Sequence, residues 1–137
     1  MNQNTVDLVQ GSWVKVAAIA PQAAALFYSN LFALDPSLKP LFLGDMEEQG
    51  EKLMQMIGAA VGKLNDVDSL VPILQSLGKR HVAYGVKNAH YDAVGAALLG
   101  TLAQGLGNDF TGPVKEAWTT VYGVMAEVMT DAAGSQA

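Results

Sequence analysis

Apolar residues recur three and four positions apart along almost all of this 137-residue chain, and no stretch alternates apolar with polar. That period belongs to helices which each bury one stripe, so the chain reads as all-α. The first helix spans about residues 5–20 through Val6, Val9, Trp13, Val16, Ala17 and Ala20, with Asn4 and Thr5 as capping candidates and Asp7 in its first turn. Pro21 breaks it and suits the start of a second helix, 21–34, with Ala24, Phe27, Tyr28, Leu31 and Phe32 inward. After Asp35-Pro36-Ser37 comes a short turn, 38–44, in which Phe42 has no local cover. Asp45-Met46-Glu47-Glu48 has the form of a capping box for a helix over 46–64, whose stripe is Gln49, Leu53, Met56, Ile57, Ala60, Val61 and Leu64. A polar turn, 65–69, precedes Leu70, Leu74, Leu77 and His81, with Pro72 in that helix's first turn and Gly85-Val86 interrupting it. A helix over 89–106 follows with Val94, Ala97, Leu98, Thr101, Leu102 and Leu106 inward, then one from Pro113 to about 131 through Val114, Ala117, Trp118, Val121, Val124, Met125 and Val128, and 132–137 reads as a frayed tail of a single domain, 1–137.

The residue inventory removes several chemistries. With no cysteine and two histidines there is no disulfide, thiolate nucleophile or His-rich zinc site. Neither Gly95-x4-Gly100 nor Gly105-Leu-Gly107 follows a strand, so no dinucleotide or phosphate loop is supported. A net charge of −5 with eight scattered Lys and Arg argues against nucleic acid and acidic membranes as partners. The N-terminus has no signal core and no apolar run is long enough to span a bilayer, which points to a soluble, cytoplasmic protein. His81 ends an apolar stripe, and its residue type leaves two readings open there: a hydrogen-bonded core histidine, or a neutral imidazole ligating a metal or haem. Gly58-x3-Gly62 suits close crossing by a neighbouring helix.

Several spacings together resemble the globins, in particular single-domain bacterial haemoglobins and the globin part of flavohaemoglobins. Pro36 lies six residues before Phe42, and Tyr28 fourteen before it. Gln49 and Leu53 lie four apart on the next long helix; His81 precedes Gly85-Val86 and His90-Tyr91. Trp13 and the run Ala117-Trp118-x-x-Val121-Tyr122-Gly-Val match as well. The resemblance implies a globin fold, a 3-over-3 helical sandwich around haem b (iron protoporphyrin IX), with His81 as proximal iron ligand. It implies Phe42 packing on the porphyrin, Leu53 and Tyr91 in the cofactor pocket, and Tyr28 and Gln49 as the catalytic pair facing a bound gas. Ala24 and Gly50 are small where two helices cross, and Arg80 or Lys52 can reach a propionate.

Tyr28 and Gln49 both donate hydrogen bonds, so oxygen affinity is expected to be high and release slow, with two donors slowing it by about two to four powers of ten. The implied function is reversible oxygen binding in support of nitric oxide detoxification, a dioxygenase activity that needs an external reductase. The alternative is oxygen storage, delivery or sensing without turnover. Expected ligands are the gases O2, NO and CO, and the expected state is a monomer or weak homodimer. One departure concerns the proximal side: the family's glutamate falls at Ala133, and Glu127 and Asp131 are off that register. The second nitrogen of His81 is expected to donate to a carbonyl or hydroxyl, with Leu77 and Gly78 carbonyls one turn back, and His90 reads as a surface residue.

Overall fold

The computed structural model describes residues 2–42, 44–83 and 88–134, and among them there is no strand. The helices are α1 (Gln3–Ala17), α2 (Ala20–Leu34), α3 (Met46–Gly62), α4 (Val67–Ala83), α5 (Asn88–Leu106) and α6 (Gly112–Gly134). Short 3-10 helices at Pro36–Leu41 and Gly107–Asp109 join α2 to α3 and α5 to α6. The all-α expectation therefore holds.

Helix starts are set by which short polar residue turns its side chain onto the first amides. Asn2 takes that place in α1, accepting from the Thr5 N–H at 2.8 Å, so Asn4 and Thr5 lie inside the helix and Asp7 beyond its first turn. Asp45 caps α3 as expected, through the Glu47 N–H at 2.8 Å. At α4 the Asp66 carboxylate accepts the Ser69 N–H at 3.4 Å and the Ser69 hydroxyl at 2.7 Å. The helix thus begins a turn early and Pro72 stands inside it instead of in its first turn. At the other end α6 buries Ala132 and continues to Gly134, and the rest of the expected tail, 135–137, lies outside the described residues. The Gly85-Val86 interruption lies outside the described residues.

The long helix α6 runs against α4, α1 and α5, while α2 packs across α5 and α3. Val9, Val16, Leu31, Leu102, Trp118 and Val121 are essentially removed from solvent where these helices meet. The buried Trp118 indole needs a partner for its N–H. It donates to the Ser12 hydroxyl at 2.8 Å, and Ser12 in turn donates to the Leu8 carbonyl at 2.7 Å. Trp13 lies tilted against Trp118, ring centroids 6.1 Å apart, and its indole nitrogen sits 3.3 Å from where a Cβ on Gly58 would be. Gly58 therefore does admit a close neighbour, whereas Gly62 faces open space.

Three residues of the expected stripes are not inside: Ala17 is exposed, and Met56 is 40% and Val124 37% exposed. A stripe is buried only as far as something packs opposite. Among the described residues α3 packs on α1 and α2 but makes almost no direct contact with α4, its successor in sequence. No single helix is long and apolar enough to cross a membrane.

Replacing Ser12 by Ala strands the Trp118 N–H in the core. Urea unfolding of Ser12→Ala should show a loss of about 1–3 kcal/mol; an unchanged midpoint and slope contradict this account of the core.

Candidate functional site

Two groups of side chains stand out, one built by α4, α5 and α6 and the other by α2, α3 and the turn between them. In the first, His81 is half-buried in the last described turn of α4. Its Nδ1 lies 3.2 Å from the Tyr91 hydroxyl, with ring centroids 6.1 Å apart. Burial, and secondarily the positive charge of Arg80 next in sequence, hold the imidazole below its ordinary pKa, so the neutral form is favoured. Nδ1 is thus engaged by a side chain and not by the carbonyls of Leu77 or Gly78. Helix carbonyls a turn back already accept their own amides four residues on. The Tyr91 main-chain carbonyl accepts the Tyr122 hydroxyl at 2.6 Å. Burial pushes the Tyr91 phenol up; Tyr122 is raised further, chiefly by burial and then by the ionised forms of Tyr91 and Asp92.

In the second group the buried Tyr28 ring is enclosed by aromatics. Phe32 stacks on it at 5.9 Å, and Phe27 and Phe42 meet it edge-on at 5.4 and 5.3 Å. Phe42, which has no local cover, is thus covered by Tyr28 and by Phe32, 5.5 Å away. The Tyr28 hydroxyl donates to the Gln49 main-chain carbonyl at 3.2 Å. That contact depends on a tight crossing of α2 over α3, because a Cβ on Gly50 would lie 2.9 Å from the Ala24 Cβ. The expectation about these two small residues is met. Gln49 itself is half-buried, and burial raises the Tyr28 phenol to about 12. Leu53, a turn on, lines a narrow apolar cavity with Trp13, Phe27, Ile57 and Leu102.

The remaining expected residues sit at the rim. Arg80 is exposed, and Lys52 is exposed and paired with Glu48 at 3.5 Å. An exposed pair of that kind is worth little and exchanges readily. His90 is half-buried near the start of α5. Residue type and spacing missed Gly78 and Gly95. A Cβ on Gly78 would come 2.3 Å from the Met129 carbonyl oxygen, and one on Gly95 would come 2.8 Å from the Tyr122 ring. A glycine inside a helix costs about 1 kcal/mol against alanine and so asks for a packing reason; that was the available signal.

The donor at this site, one imidazole held neutral, suits a metal centre. A neutral imidazole has one nitrogen occupied and leaves Nε2 to bind a metal, as metal-bound histidines do. The two helices that bear His81 and Gln49 follow one another in sequence yet hardly touch. Between them they carry Met56, Val67 and Ile73, half of the six large apolar side chains most open to solvent among the described residues.

Comparison with known proteins agrees. The family model described as Globin matches residues 25–129. Neuroglobin of Dissostichus mawsoni is 32% identical over 144 aligned residues, covering 95% of this chain and 91% of the relative. Neuroglobin-2 of Oncorhynchus mykiss is 31% identical over 144 residues with the same coverage, and neuroglobin of Tetraodon nigroviridis 34% over 138 residues, covering 90% and 87%. These relatives are neuroglobins and not bacterial haemoglobins or flavohaemoglobins, so the comparisons bear out the globin family and not the finer resemblance read from the spacings.

A buried phenol that ionises less readily folded than unfolded stabilises the fold below its unfolded pKa of about 10, and this is lost as pH rises through about 12. In urea unfolding, the native chain should lose about 1 kcal/mol more than Tyr28→Phe between about pH 9 and 11. Equal losses contradict the burial of that hydroxyl.

Proposed function

The chain belongs to the globin family, and from that premise we propose that it binds haem through His81 and takes up dioxygen reversibly for storage, delivery or sensing. Haem b, when bound, supplies an iron that takes up and releases small gases. The observation that carries the reading is the state of His81: neutral by burial, and held at Nδ1 by Tyr91 so that Nε2 is the nitrogen left to ligate. A nearby carboxylate would draw the Nδ1 proton and strengthen the imidazole's electron donation. Here the next group in line, the Tyr122 hydroxyl, ends on the Tyr91 main-chain carbonyl, and Ala133 stands where the family's glutamate would. That environment favours reversible binding over oxidative turnover, and the nitric oxide detoxification expected from the spacings is set aside with its external reductase. The relatives compared above are named neuroglobins, in keeping with that choice.

On the opposite side of the reading, Phe42 and Leu53 offer apolar contact to the porphyrin, while Lys52 and Arg80 are exposed cations that can pair with its propionates. Tyr28 and Gln49 are the two donors adjacent to each other. For Tyr28 to donate to a bound gas its hydroxyl must leave the Gln49 carbonyl, so its net worth is a difference between two hydrogen bonds. The slowing of release is accordingly smaller than two independent donors give.

Oxygen release from the ferrous, haem-loaded chain, followed by stopped-flow absorbance, should be about tenfold faster in Tyr28→Phe, the equivalent of about 1.4 kcal/mol. An unchanged rate would sink the donor role, and failure to form any reversible oxygen complex would sink the function.

A further inference from the structure

The bond between His81 and Tyr91 joins α4 to α5, yet both of its partners are located by a third helix. On α4, Gly78 lies three residues before His81 and abuts the α6 backbone. A Cβ there would lie 2.3 Å from the Met129 carbonyl oxygen, 2.8 Å from its Cα and 2.9 Å from its carbonyl carbon. No rotamer relieves an overlap with main chain, so the separation of α4 from α6 is set by backbone contact. On α5, the Tyr91 carbonyl is held at 2.6 Å by the hydroxyl of Tyr122, which stands seven residues before Met129 on the same α6. The Tyr122 ring is seated against Gly95, where a Cβ would lie 2.8 Å from a ring carbon.

We propose that α6 acts as a gauge for the proximal ligand: Gly78 and Tyr122 are positioning residues that together hold His81 within hydrogen-bond reach of Tyr91. The margin is small. At 3.2 Å the Nδ1 to hydroxyl distance is already at the long end for such a bond. Real Cβ atoms essentially never approach another heavy atom within 3.0 Å, so alanine at residue 78 must open the α4 to α6 contact by more than half an ångström. That displacement is comparable to what breaks the bond. The proposal rests on the reading of His81 as haem ligand, and its test separates the two.

The test uses the full-length, haem-loaded protein in its ferrous, gas-free state, with the iron–histidine stretching band read by resonance Raman. Tyr91→Phe removes the partner of Nδ1 and should move the band to lower frequency, because an imidazole that no longer shares its proton is a weaker donor. Gly78→Ala and Tyr122→Phe should each move it the same way by at least half that shift. Gly123→Ala, beside Tyr122 but facing open space, should leave it in place. A wild-type band in Tyr122→Phe alongside a shifted band in Tyr91→Phe overturns the gauge and leaves the ligand assignment standing; this variant keeps the ring and decides the matter even where Gly78→Ala does not fold. No shift in Tyr91→Phe overturns the gauge too. A band that persists in His81→Gly overturns the ligand assignment and the gauge with it.

Discussion

The structure around the site depends on holding one imidazole neutral and still. A half-buried histidine on an apolar stripe is disfavoured as a cation and cannot leave both ring nitrogens without partners. His81 meets both demands through the Tyr91 hydroxyl, and Arg80 adds repulsion against a second proton. What makes that bond dependable is not local to α4. It rests on α6, which contacts α4 at Gly78 and α5 at Tyr122, so that the helix with the broadest packing among the described residues also locates the group with the most chemistry.

The other half of the site is organised by ring packing. Tyr28, Phe27, Phe32 and Phe42 form one aromatic cluster, and the closeness of α2 to α3 at Ala24 and Gly50 delivers the Gln49 carbonyl to the Tyr28 hydroxyl. The cluster restrains the phenol while the carbonyl satisfies it. A donor kept in that way is oriented in advance, and under the proposed function its contribution to holding a gas would be limited by the bond it gives up.

Periodicity is a local property, and the helices were legible for that reason: Val6, Val9, Trp13 and Val16 on α1, or Ala97, Leu98, Thr101 and Leu102 on α5, are buried as their spacing requires. Helix starts were less legible because several short polar residues compete to cap, and Asn2 and Asp66 prevail over Asn4 and the rest of the turn before α4. Met56 and Val124 show that a stripe's width depends on what packs opposite. At the site, spacing singled out Tyr28, Phe42, Gln49, His81 and Tyr91, and the structure gathers them into two groups. It could not reveal that Tyr28 bonds to a main-chain carbonyl, or that Gly78 abuts Met129, because both are properties of how two helices pack and not of either helix alone.

The central claim, that His81 is the axial ligand of a haem this chain holds, is tested most directly by titrating purified wild-type and His81→Gly protein with haem and reading the Soret band. The account predicts a sharp, saturating band at equimolar haem in the wild type, its loss or displacement in His81→Gly, and its return when free imidazole is added to occupy the emptied ligand position. A His81→Gly protein that takes up haem with the wild-type spectrum, indifferent to imidazole, would contradict it.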